Sequence, residues 1–293
     1  MSLALIMCTR GRERAASDFV DGLARLKTGS FPVRAILVDN NDTAELRDLT
    51  ERAEGLPVTY VHQPHAGLSN ARNVGNAALQ SEETAILVDD DIVLPADFLL
   101  RVEAALAREP KAGVIGGRVE LHDPDDLPVT IQTYPHRRTL SDAGALFGII
   151  HGCCLIVRPE ARRAAPFFDK RLGAGTAAKS AEDTDFLYRV HRAGIPVVYD
   201  PDVFVYHAHG RREITELPGL RRGWARGQGA LALKHLMRGD PGVLKRVIWK
   251  MAEEASPAEN NAGPANRLGG HRPGVWWMTA QRLRGALAFL TGR

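Results

Sequence analysis

Short apolar runs rich in β-branched residues alternate with longer, charge-bearing stretches over the first 120 residues, and this rhythm restricts the fold most. Leu3–Cys8, Val33–Val38, Val58–His62, Thr84–Val88 and Val114–Val119 read as strands. Between them, helices are expected over about Arg12–Lys27, Thr43–Glu54, Leu68–Gln80 and Pro95–Arg108, the last with proline near its first turn. Such alternation implies an α/β fold built on a mostly parallel, doubly wound sheet. Ligands of these sheets sit beyond the carboxyl ends of the strands. The near-continuous apolar character of Thr84–Val88 marks a strand buried on both faces.

After Glu120 the rhythm breaks. Residues 121–146 read as loop, Phe147–Val157 as a strand, Ser180–Ala193 as a helix and Ile195–Tyr206 as one or two strands. Beyond Gly210 the pattern is helical, with a polar break at Ser256–Pro273. The three cysteines, Cys8, Cys153 and Cys154, form neither a disulfide framework nor a zinc-spaced pair, which points to a reducing compartment. The opening apolar run is too short for a signal peptide, and no stretch approaches the ~18 apolar residues of a membrane span. A cytoplasmic protein is the expectation.

The strongest local feature is Ala85-Ile86-Leu87-Val88-Asp89-Asp90-Asp91, an apolar strand that delivers three carboxylates to its carboxyl end. Strict alternation would point Asp89 and Asp91 the same way and Asp90 the other. Like charges held close need a cation, and Mg²⁺ or Mn²⁺ suits oxygen ligands. The bland alternative is an aspartate-rich turn leading to the next helix. A Walker-type reading falls because no G-x-x-x-x-G-K-[ST] exists in the chain. The run Gly173-Ala174-Gly175-Thr176-Ala177-Ala178 matches a dinucleotide fingerprint only formally, since no strand precedes it; it reads as a plain loop or a lid.

A second acidic site, Ser180-Ala181-Glu182-Asp183, opens a helix. Ser180 fits an N-cap in a capping box. Asp183 shares a helical stripe with Phe186, Leu187 and Val190, so partial desolvation would make it a base. Glu182 lies about 100° round the helix and is set aside as the base. The strand Val203–Tyr206 ends in His207-Ala208-His209, where alternation puts both imidazoles on one face, suited to a metal or simply to the surface.

Together these stretches resemble the family 2 glycosyltransferases of the GT-A fold, over about Ala4 to Arg212. The motifs that carry the resemblance are Met7-Cys8-Thr9-Arg10, Leu37-Val38-Asp39-Asn40-Asn41, Gly67–Asn73, Asp89-Asp90-Asp91, Phe168-Asp169 with Leu172-Gly173, Glu182-Asp183 and Tyr206-His207, in the family's order. The resemblance implies a GT-A type, Rossmann-like sheet: residues 1–120 as the nucleotide-sugar-binding half, 121–212 as the metal and acceptor half, and 213–293 as a helical C-terminal extension. It implies that Thr9 and Arg10 line the nucleotide pocket, that Asp39 accepts from a pyrimidine base edge (UDP- or dTDP-sugar), and that Arg72 meets the diphosphate. Asp91 would bind Mn²⁺ or Mg²⁺, with Asp89 and Asp90 at the ribose or the metal, His207 as a further ligand and His209 as its rival. Asp183 would be the general base of an inverting transfer from a nucleotide-sugar donor to a saccharide, lipid-linked or small-molecule acceptor, in surface polysaccharide or glycoconjugate synthesis. Gly152-Cys153-Cys154 departs from the family pattern and leaves the acceptor pocket unassigned.

Residues 211–293 hold 15 Lys and Arg against 6 Asp and Glu, together with all four tryptophans. This tail either packs on the body or on a second subunit of a homo-oligomer, or meets an anionic membrane at the inner face. No nucleic-acid-binding motif accompanies the charge. Two rivals stand beside the transferase: a non-catalytic nucleotide-sugar-binding assembly partner, and a sugar nucleotidyltransferase, of which Thr9-Arg10-Gly11-Arg12 is only a faint sign.

Overall fold

The computed structural model describes residues 1–140, 147–255 and 274–292. The first half runs β1 (Ser2–Thr9), α1 (Glu13–Leu23), β2 (Val33–Asp39), α2 (Arg47–Glu51), β3 (Val58–His62), α3 (Leu68–Ala77), β4 (Glu83–Asp89), β5 (Ile92–Val93), α4 (Phe98–Arg108) and β6 (Val114–Leu121). The second runs β7 (Arg138–Thr139), β8 (Cys154–Val157), α5 (Pro159–Ala164), α6 (Glu182–Arg192), β9 (Val197–His207), α7 (Leu217–Leu236), α8 (Gly242–Ala255) and α9 (Val275–Thr291). One sheet of nine strands contains both halves, in the order β3-β2-β1-β4-β8-β6-β9-β5, with β7 on β9.

β1 to β4 pair in parallel, as the strand–helix rhythm predicts. β8 then inserts antiparallel between β4 and β6, so the sheet as a whole is mixed. Alternation along β1 divides the core. Leu3, Leu5 and Met7 face α1 and α4, whereas Ala4 and Ile6 face α3 and α6. Complete burial of each such Leu or Ile is worth ~1.5–3 kcal/mol. Gly75 lets α3 lie close on the sheet, because a Cβ there would stand 2.8 Å from Ile6.

Three expectations change. The predicted Phe147–Val157 strand shrinks to Cys154–Val157, and the residues before it turn towards the site instead of pairing. The fourth helix begins at Phe98, with the Pro95 carbonyl accepting from the Phe98 N–H at 2.9 Å. The loop 121–146 carries the short strand β7, and its residues 141–146 lie outside the described residues, as does the break at Ser256–Pro273. Among the described residues no helix is long and apolar enough to cross a membrane.

Candidate active site

Chain order reverses between β1 and β4, and their registered ends (Cys8 opposite Asp89, and Thr9 opposite Asp39 on β2) form the crevice where ligands of such sheets bind. A chamber of about 290 Å³ opens there, lined by Thr9, Arg10, Arg12, Asn40 and Asp89–Asp91. The Thr9 hydroxyl donates to Asp90 at 2.7 Å. Arg12 donates one N–H group to both Asp90 (2.8 Å) and Asp91 (3.1 Å). Arg10 reaches across to the Asn40 carbonyl and to Asp42 (2.9 Å).

The aspartates do not alternate as expected. β4 ends at Asp89, and the turn that follows brings Asp90 and Asp91 together on Arg12 while Asp89 turns to Arg72. Asp39 is 0% exposed. It accepts from the Asn41 N–H (3.0 Å), the Leu46 N–H (3.1 Å) and the Tyr60 hydroxyl (2.7 Å). It therefore holds the loop behind the chamber wall.

Arg72 joins the two acidic sites. Its guanidinium, 2% exposed, donates to Asp89 on β4 (2.8 Å), to Glu182 on α6 (2.9 Å) and to the Gly152 carbonyl (3.2 Å). Burial opposes its charge, but Asp89 and Glu182 outweigh that and hold it well above the usual arginine range. Arg72 and Arg12 are each paired with two carboxylates, but the Arg72 side chain is 3% exposed and that of Arg12 is 49% exposed, so Arg12 is the guanidinium open to the chamber.

At the start of α6 Glu182 and Asp185 are buried and Asp183 is half-buried; burial and the neighbouring Asp183 push Glu182 up against the pull of Arg72. Asp183 faces a second cavity of about 450 Å³, which shares Asp89 with the first. Its carboxylate accepts from the Gly152 N–H at 2.9 Å. Ser180 does not cap α6. The cap position is Ala181 in the left-handed region (φ 78°), and Ser180 donates instead to the Gly223 carbonyl of α7 at 3.0 Å. The 173–176 stretch is bonded to both helix starts, with Leu68 N–H donating to Ala174 O (3.0 Å) and Gly173 N–H to Ser180 O (3.2 Å).

β9 ends at His207, and the rings of His207 and His209 stay in edge contact with centroids 5.1 Å apart. His207 Nδ1 lies 3.1 Å from the Thr130 carbonyl, an acceptor only, so that nitrogen carries the hydrogen. Its Nε2 lies 3.2 Å from Asp91 Oδ1. Two acceptors meet there unless a cation lies between them, either a proton or a metal. Ligands about 2.1 Å from a divalent ion and at right angles stand ~3 Å apart, so this pair fits one. Burial opposes both charges, but their mutual attraction raises His207 and, with Arg12, holds Asp91 below the usual carboxylate range. His209 Nδ1 lies 3.6 Å from Asp126 and accepts from the Arg211 N–H (3.0 Å), and its buried Nε2 has no hydrogen-bond partner among the described residues. Among the described residues no three His, Cys, Asp or Glu side chains form a metal cluster.

The C-terminal helices complete the second cavity. Lys234 of α7 is buried between Asp169 (2.9 Å) and Asp185 (2.8 Å), and His235 meets Asp185 at 3.0 Å. Trp224 lines the cavity, whereas Trp249 and Trp276 are 65% and 84% exposed, so packing accounts for only part of the aromatic tail. Burial pushes the Cys153 thiol far up and those of Cys8 and Cys154 to about 12, which leaves no thiolate nucleophile.

Residues 2–228 match the family model described as "Glycosyltransferase like family 2". The chain belongs to that family. It is a glycosyltransferase of the GT-A architecture. It is 27% identical over 243 residues to the succinoglycan biosynthesis protein ExoM of Rhizobium meliloti, covering 74% of this chain and 77% of that one. It is 24% identical over 226 residues to the pre-mycofactocin glycosyltransferase of Mycobacterium tuberculosis, 73% of this chain and 45% of that one. In fold it is similar to the mannosyltransferase PcManGT of Pyrobaculum calidifontis, solved in complex with GDP-Man and Mn²⁺ (TM-score 0.61, 17% identity, 99% of this chain and 87% of that one). It is also similar to residues 1–349 of S. aureus TarS, solved in complex with UDP-GlcNAc (TM-score 0.57, 15% identity, 100% and 93%).

Proposed function

We propose that this glycosyltransferase moves a sugar from a nucleoside-diphosphate donor to an acceptor hydroxyl in one inverting displacement, with Asp183 as general base. The observation that carries this reading is the Arg72 bridge. One buried guanidinium ties Asp89, which both cavities share, to the helix that presents Asp183 in the second. The nucleoside diphosphate enters the chamber of Thr9, Arg10 and Arg12, whose guanidinium groups meet the phosphates. The acceptor enters the larger cavity, and Asp183 takes the proton of its attacking hydroxyl. The acceptor oxygen bonds to the anomeric carbon as the bond from that carbon to the diphosphate oxygen breaks, and the nucleoside diphosphate leaves with the electron pair.

Asp91 and His207 would hold Mn²⁺ or Mg²⁺, which when bound supplies positive charge for the departing diphosphate. The complexes of PcManGT with GDP-Man and Mn²⁺ and of TarS with UDP-GlcNAc support a sugar nucleotide and a metal, but they hold different bases. Asp39 could accept from the N3–H of a pyrimidine or the N1–H of guanine, so it does not choose between these bases.

The test is nucleoside-diphosphate release from UDP-, dTDP- and GDP-sugars with and without Mn²⁺, for wild type and Asp183→Asn. Loss of a general base lowers turnover by roughly 10²–10⁴. An Asp183→Asn protein at full turnover would remove Asp183 from the role. Release of pyrophosphate would identify a nucleotidyltransferase, and binding without turnover the assembly-partner rival.

A further inference from the structure

The acceptor cavity has a wall that none of the family motifs supplies. α7 passes close to the start of α6 because Gly227 has no side chain: a Cβ there would collide with Ser180 Oγ and lie 2.9 Å from the Ser180 backbone. Ser180 fixes the crossing by donating to the Gly223 carbonyl. Helical spacing then decides what lies beside Asp183. Trp224, Gln228 and Leu231, at i, i+4 and i+7, form one stripe, and all three line the same cavity as Asp183. Arg282 of α9 donates to Gln228 Oε1 at 3.0 Å, which fixes the amide and leaves its N–H groups as donors. Ile131, Phe147 and Ile150 add apolar surface to the same cavity.

We infer that Trp224 and Gln228 form the acceptor subsite, and that the acceptor is a glycoside carrying an apolar aglycone. This rests on the glycosyltransferase reading and names the acceptor class for it. The indole gives a flat platform for the C–H face of the acceptor sugar, and the Gln228 amide donates to one of its oxygens. The aglycone lies on Ile131, Phe147 and Ile150, where water would otherwise cover apolar surface. The attacking hydroxyl is thereby held towards Asp183. A lipid chain and an aryl group share this chemistry, so both belong in the test.

Wild type, Trp224→Ala and Trp224→Phe are assayed with a turned-over donor and matched octyl, p-nitrophenyl and methyl glycosides of glucose, galactose, mannose and N-acetylglucosamine. The readout is the ratio of transferred sugar to sugar released into water. That ratio is internal to each sample, so a partly folded variant does not mimic the effect. For wild type, an octyl or aryl glycoside should raise the ratio at least tenfold over its methyl partner. An advantage for octyl alone points to a lipid chain, and an advantage for aryl alone to an aromatic aglycone. Trp224→Ala should lose at least nine-tenths of the advantage, and Trp224→Phe should keep most of it. A wild type that does not discriminate between octyl or aryl and methyl glycosides, or a Trp224→Ala protein that still does, overturns the subsite. A wild type that releases nucleoside diphosphate from no donor overturns the transferase reading itself, which separates the two failures.

Discussion

A single methyl group at Gly152 should disable this enzyme without unfolding it. Both backbone groups of Gly152 serve the site: its N–H donates to Asp183 at 2.9 Å, and its carbonyl accepts from Arg72 at 3.2 Å. A Cβ at this position would stand 2.9 Å from Asp183 Oδ2, 3.0 Å from Asp183 Cβ and 3.2 Å from Arg72 Nη2, where ordinary contact begins at 3.4 Å. Because Asp183 Cβ is itself too close, rotating the carboxylate is not enough, and the first turn of α6 must retreat by about half an ångström. A misplacement of ~1 Å costs about 10² in rate. Gly152→Ala should therefore lower turnover roughly 10- to 100-fold, with an overpacking cost of about 1–3 kcal/mol. Nucleoside-diphosphate release gives the rate, and urea titration gives the stability. In an Asp183→Asn background the same substitution should add less than about threefold, because the two act through one carboxylate. A Gly152→Ala enzyme within twofold of wild type, or full additivity in the double variant, would refute this account of how Asp183 is placed.

Three further outcomes follow from the buried charges and thiols. Arg72→Met leaves Glu182 buried without its cation and should destabilise by roughly 3–5 kcal/mol, while Arg72→Met/Glu182→Leu should recover most of that without restoring turnover; urea melts of both check it. Burial would raise Asp185, yet His235, Lys234 and Arg189 lower it from 3.8 to about 2. A depressed carboxylate stabilises above its unfolded value of about 3.9 and loses that contribution as pH falls through the folded value. Stability should therefore drop by ~2 kcal/mol between about pH 4 and pH 2, and Asp185→Asn should flatten that slope in urea melts across the window. Cys8, Cys153 and Cys154 are buried with raised thiols, so a disulfide reagent at pH 8 should label none of them until denaturant is added.

The parallel half of the sheet was legible because its signals are local. The apolar run Val58–His62 became β3 with the same bounds, and β2 exceeded Val33–Val38 by one residue. What failed depends on partners distant in sequence. Ser180 has every local property of an N-cap but is drawn to Gly223, 43 residues on. Helical geometry places Glu182 about 100° round from Asp183, yet Arg72, 110 residues before it, draws it into the interior. Arg12 looked like an ordinary helix start until the turn after β4 brought Asp90 and Asp91 to it. The aspartate alternation failed because β4 ends at Asp89, the first residue of its motif, and a turn follows. The acceptor wall had no local sign beyond a tryptophan in a glycine-rich helix, since the packing of α7 on α6 creates it.

With the proposed acceptor subsite on α7, the crossing over Ser180 separates the two substrate choices along the gene. Most of the first chamber is encoded before residue 92, with Ala174 and Gly175 added from a later loop, whereas α7, from Leu217, brings Trp224, Gln228 and Leu231 to the second. A recombinant that exchanges only this helix would inherit the donor of one parent and the recipient of the other. It would do so only if the incoming helix kept glycine at 227, and also at 229, where a Cβ would collide with the backbone of Arg282.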